Sequence, residues 1–175
     1  MKSPLGLLVG LAMVGSVQTQ ASLFYFSAQL HGGQEVPPNG SLGWGTATGL
    51  FDDETQVFSL GGQVGALSSG ITAANIHQGD PGVAGPAILP LTANVGFNLG
   101  PINSDFFALT PNQVSNLFSG HWYVNVNTAE FPEGEIRGQI LLGSSVPEPE
   151  SFAFLGALTL AGFALWRRHR PTDAA

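Results

Sequence analysis

Trp122–Leu142, WYVNVNTAEFPEGEIRGQILL, reads as a strand, a turn and a returning strand. Trp122, Val124 and Val126 alternate with Tyr123, Asn125 and Asn127, the period of two that buries one face of a strand. Phe131-Pro132-Glu133-Gly134 supplies the turn. Glu135–Leu142 returns with Ile136, Ile140 and Leu142 on its core side and Glu135, Arg137 and Gln139 on its polar side. Paired as a hairpin, the strands set Glu135 and Arg137 near Asn125 and Asn127, and a structural Glu135–Arg137 charge pair is expected.

A second stretch of the same design lies upstream. Ile71–Gly85, ITAANIHQGDPGVAG, is a strand followed by a Gly/Pro loop. Thr72, Ala74 and Ile76 form one face; Ala73, Asn75 and His77 form the other. The two polar faces make one candidate binding cluster: Asn75, His77, Asn125, Asn127, Glu135 and Arg137. Hydrogen bonding of His77 to Asn75 or Asn127 is favoured over a ligand or acid/base role. His31 and His121 are expected at solvated strand edges.

Between these stretches, Val95–Leu99 is a short strand candidate. Leu109–Gly120 is the one convincing helix: Thr110 is a good N-cap, Pro111 suits the first helical position and Gln113 completes a Thr-x-x-Gln capping box. It spans two turns at most and is expected to plug one end of a sheet. Further upstream, Leu23–Leu30, Trp44–Phe51 and Gln56–Leu67 are strand-like. Glu35–Gly40, with Pro37–Pro38 and Asn39–Gly40, is a loop. Asp52-Asp53-Glu54 is a hairpin tip; Ca²⁺ binding there is the weaker alternative. Short strands at this spacing with one short helix indicate an all-β fold, a two-sheet antiparallel β-sandwich of about 120 residues.

The ends differ in kind. Met1–Ala21 has a basic Lys2, an apolar Leu5–Val17 run and small residues at Thr19 and Ala21, the pattern of a signal peptide. Its Gly6, Gly10 and Gly15 speak against a buried helix. The β domain is assigned to 22–142. Residues 143–150, GSSVPEPE, form an extended linker, and 151–166 are an uncharged run read as a transmembrane helix. Residues 167–175 form a basic tail, with Arg167, Arg168 and Arg170 as a membrane stop on the cytoplasmic side. Arg137 is the one Lys or Arg between Ser22 and Ser145, against nine carboxylates, so nucleic-acid binding is excluded on charge. The chain has no Cys, which removes disulfides, thiol catalysis and Cys–zinc sites. No nucleophile elbow, P-loop or dinucleotide fingerprint occurs, and neither catalysis nor a cofactor is expected.

Two resemblances follow. Pro147-Glu148-Pro149, then an apolar run and an Arg-rich end, resembles the PEP-CTERM sorting signal of Gram-negative bacteria that make extracellular polysaccharide. The resemblance implies recognition by an exosortase, a membrane cysteine protease, after export through the Sec machinery and signal peptidase. It implies a precursor anchored in the inner membrane, then a protein in the outer envelope or outside, in contact with extracellular polysaccharide or surface proteins.

The second covers nearly all of Phe24–Leu142, which resembles the CHRD domain. It rests on Glu35-Val-Pro-Pro38, Gly45-Thr-Ala-Thr-Gly49, Ala74-Asn-Ile-His77 with Gly79, Pro81-Gly82 and Gly85, Tyr123–Thr128, and Gly134–Gln139. It implies an immunoglobulin-like or Greek-key sandwich. The family commonly carries His where this chain has Asn75 and Asn127. The alternative function, a metal-dependent enzyme of the superoxide-dismutase kind using His77, therefore starts with two carboxamides in place of imidazoles.

Overall fold

The computed structural model describes residues 22–143; the expected signal peptide, the Pro147-Glu148-Pro149 motif, the transmembrane segment and the basic tail lie outside the described residues. Eleven strands and one helix follow in order: β1 (Leu23–His31), β2 (Trp44–Asp52), β3 (Val57–Gly65), β4 (Ile71–Gln78), β5 (Ala87–Pro90), β6 (Thr92–Ala93), β7 (Gly100–Asn103), β8 (Phe107–Ala108), α1 (Pro111–Phe118), β9 (Trp122–Thr128), β10 (Ile136–Gln139) and β11 (Leu141–Leu142). A 3-10 turn, Gly32–Gln34, follows β1. Among the described residues no helix is long and apolar enough to cross a membrane.

The all-β expectation with one short helix holds. The expected two sheets are instead one antiparallel ladder in the order β5-β4-β9-β10-β1-β2-β3-β7-β6, with β11 added to β1 and β8 to β3. The ends of this path nearly meet. β5 pairs with β4, and β6, one residue further on, pairs with β7. Leu91 between them donates its N–H to Ala74 O and buries its side chain. One short stretch thus bridges both ends and leaves little free edge, the remedy a barrel offers for exposed ladder groups.

The inward residues fill the middle. Phe26, Phe51, Phe58, Ile76, Ile102, Trp122, Val124 and Val126 are buried there. Phe118 of α1 meets Phe24, Phe26 and Phe51 edge-to-face at 4.9, 5.3 and 5.6 Å between centroids, so the helix plugs one end as expected. Its capping box is present: Thr110 Oγ1 accepts from Gln113 N and Gln113 Oε1 accepts from Thr110 N.

Four local expectations need correction. Val95–Leu99 is not a strand: Gly96 takes φ 87°, and Val95, Phe97 and Leu99 are exposed. Thr72 faces solvent, because the register shifts between Ile71 and Ala73 and Ile71 takes the core position. Leu142 is exposed, because β11 is a separate short strand on β1. Glu135 precedes β10 and does not share its polar face, as described below.

Candidate functional site

Cross-strand register assembles the site. Asn75 on β4 lies beside Asn125 on β9, Asn125 beside Arg137 on β10, and Arg137 beside His31 on β1. One step along, His77, Tyr123 and Gln139 form a second row. The expected face therefore exists, but the Gly79–Gly85 loop folds back over it.

Arg137, Gln139, Tyr123 and His77 hold that loop. Asp80-Pro81-Gly82-Val83 is a type II turn, with Val83 N bonded to Asp80 O at 3.0 Å and Gly82 at φ 78°. The Arg137 guanidinium grips it, Nη1 donating to Val83 O and Nη2 to Asp80 O, both at 2.9 Å. Gln139 Nε2 donates to Gly79 O at 2.9 Å and to Gly120 O at 2.6 Å. Tyr123 Oη accepts from Gly85 N at 2.9 Å and donates to Gly85 O at 3.2 Å. His77 Nδ1 donates to the same carbonyl at 2.9 Å; a carbonyl only accepts, so Nδ1 carries the proton. Arg137, Tyr123 and His77 also stack: Arg137 Cζ is 3.4 Å from the Tyr123 ring centroid, and the His77 and Tyr123 rings are 5.1 Å apart at 23°.

Arg137 is 2% exposed and holds carbonyls rather than a carboxylate. Burial lowers its pKa, opposed by Tyr123 and Glu35, from a starting value high enough to leave it charged. Glu135 is fully buried, and the expected pair with Arg137 does not form. Glu135 follows Gly134, at φ 144°, and its carboxylate accepts from Ser41 Oγ at 2.6 Å, Thr128 Oγ1 at 2.6 Å and Ser68 N at 2.7 Å. Burial alone would raise its pKa; these hydrogen bonds outweigh burial and hold it below the usual carboxylate value.

The carboxyl that does lie in this corner is Glu35, from the Glu35–Gly40 loop. It is 9% exposed, and burial pushes its pKa up to about 7 against the pull of Arg137 and the Val36 N–H. Its Oε1 has no partner, nor has Asn125 Oδ1. A Cβ on Gly134 would lie 2.7 Å from Asn125 Oδ1 and from both Glu35 carboxyl oxygens, so glycine is needed for their close approach. The signal in the sequence was a lone acid against Val36, Pro37 and Pro38, an apolar setting for a carboxylate. Tyr123 and Gln139 were placed on the polar face but not in the cluster.

Between the two loops is a cleft of about 260 Å³, lined by Gln34, Glu35, Val36, Pro81, Arg137 and Gln139 among others. Glu35 also borders a second cleft of about 280 Å³, lined by Glu130 and Glu133 as well.

Asn127 turns away, its Nδ2 donating to Pro132 O at 2.7 Å, and Asn125 Nδ2 donates to Glu133 O at 3.2 Å. His77 bonds neither Asn75 nor Asn127. This donor set does not fit a metal: one imidazole nitrogen is committed, its neighbours are carboxamides, and among the described residues no three His, Cys, Asp or Glu gather. At the acidic hairpin tip, Asp52 Oδ1 is spent on the N–H groups of Glu54 and Thr55.

Four of the five stretches quoted for the resemblance thus meet at one corner. A model of the CHRD domain family matches residues 26–140. No curated protein and no solved structure matches the chain. The family match covers well over half of the chain, and the chain belongs to the CHRD family.

Proposed function

We propose that this CHRD-family chain is an exported, non-catalytic β-domain protein, sorted to the cell envelope or exterior and held there in contact with extracellular polysaccharide. One observation carries the non-catalytic part. Tyr123, Arg137 and Gln139, and His77 through Nδ1, are spent on backbone groups of the chain itself, His77 Nε2 is buried with no partner group to exchange a proton with, and Glu135 is spent on Ser41, Ser68 and Thr128. Groups so committed hold a shape and are not poised for proton or group transfer.

The export part rests on sequence. Met1–Ala21 carries the Sec signal; Pro147-Glu148-Pro149 is the exosortase motif; Arg167, Arg168 and Arg170 stop the uncharged 151–166 run in the inner membrane until the tail is removed. Under this reading the β domain is the Greek-key module that the family resemblance implies, its strands joined in one ladder rather than split into two sheets. Termini of the protein in medium and membrane fractions, read by mass spectrometry, test it. The expected product starts at Ser22 and ends near Pro147–Pro149. An intact tail in the inner membrane contradicts sorting. Stoichiometric zinc or copper in the purified protein contradicts the non-metal, non-catalytic reading.

A further inference from the structure

The Arg137 row does not stop at the roofed corner. Arg137 lies beside His31, and His31 beside Trp44, on three adjacent strands. Strand spacing puts Trp44 about 10 Å from Arg137 across the sheet. Trp44 is 52% exposed, and its indole lies on Gly65, where an added Cβ would sit 3.0 Å from Trp44 Cζ2. His31 packs at Gly33, which lines the same cleft as Glu35 and Arg137.

We infer that the cleft beside Glu35 and the Trp44 ring form one binding track for a neutral polysaccharide segment, one sugar seated in the cleft and a later one stacked on Trp44. The cleft has apolar walls, Val36 and Pro81, and a base in which Gln34, Arg137 and Gln139 are already bonded to the protein and Glu35 Oε1 is not. A sugar ring matches this division, with C–H faces that pack on apolar walls and hydroxyl edges that pair with an unpartnered carboxyl. Glu35 is buried at this cleft with Oε1 unpaired, a polar group without its partner.

Charge selects against polyanions. Nine carboxylates and one Arg between Ser22 and Ser145 repel an acidic polymer. The exposed residues beyond Trp44 are uncharged: Thr46, Thr48, Ser27, Gln29 and Gln63.

This inference rests on the export reading and names the ligand class and surface. The full chain, purified in mild detergent, is run on native gels cast with dextran, galactomannan or mixed-linkage β-glucan, and with alginate as the acidic counterpart. At least one neutral polymer retards it and alginate does not. Trp44→Ala, exposed and outside the core, weakens that retardation about tenfold; Glu35→Gln weakens it less. Retardation by no neutral polymer, equal retardation by alginate, or an unchanged Trp44→Ala overturns the track. Polysaccharide binding that survives Trp44→Ala in a protein found outside the cell sinks this surface alone. An intact tail in the inner membrane sinks the export reading, whatever the gels show.

Discussion

The outer faces of β4-β9-β10 and of β1-β2-β3 belong to one ladder, yet one is buried and the other bare. Tyr123, Asn125, Arg137 and Gln139 are buried on the first. Ser27, Gln29, Trp44, Thr46, Thr48 and Gln63 are exposed on the second. The backbone pairing is the same in kind. What differs is the cover: the first face has the Gly79–Gly85 loop, which offers the carbonyls of Gly79, Asp80, Val83 and Gly85 to the side chains below. A strand face becomes interior when a loop satisfies its polar groups, and otherwise stays a surface.

Substitutions on the buried face should therefore cost far more than those on the bare one. The largest loss is expected for Arg137→Met, which leaves the Val83 carbonyl unpaired, strips the Asp80 carbonyl down to its turn bond with Val83 N and removes the cation over Tyr123. It should cost about 3 kcal/mol, a fall in Tm of about 10 °C in a thermal melt. Gly134→Ala comes next. Its φ of 144° and the three oxygens at 2.7 Å predict a loss of about 2 kcal/mol in urea unfolding. A stability equal to the parent's would break the close approach of Glu35 and Asn125.

The third expectation concerns pH. The Glu35 carboxyl titrates near 7 when folded and near 4.5 when free, so the fold favours its neutral form. Its stabilising contribution is whole below about 4.5 and is lost as pH rises towards about 7. Glu35→Gln should flatten the fall in Tm across that window. Glu135 has the opposite sign: its lowered value gives stability above 4.5 that is lost as pH falls through the folded value. The two carboxyls thus separate on the pH axis. The smallest effect is expected on the bare face, where Thr46→Ala or Thr48→Ala should change stability by no more than about 0.5 kcal/mol in the same urea assay.

The sequence was informative where periodicity and local chemistry agree. The alternation of Trp122–Asn127 placed Trp122, Val124 and Val126 in the core, and the Thr110–Gln113 box placed the helix. It was uninformative where a contact is non-local. Nothing near Glu135 told that Ser41 and Ser68 would claim its carboxylate, nor near Glu35 that Arg137 and Asn125 would lie beside it. Val95–Leu99 alternates like a strand but finds no ladder partner, because the path closes instead through Thr92–Ala93 and Gly100–Asn103. The cluster of Asn75, His77, Asn125 and Arg137 was legible as one face; the loop that roofs it was not.

Residue-level amide exchange on the full chain tests the roofed face most directly. Gly79 N–H is bonded to His121 O at 2.8 Å, and Gly85 N–H to Tyr123 Oη at 2.9 Å. If the loop is clamped as described, both amides are protected to nearly the level of β9, and Arg137→Met releases them before the core opens. Exchange of Gly79 and Gly85 in the parent at the rate of an unstructured chain would contradict the account. The polar face would then be open, and its residues free for a partner.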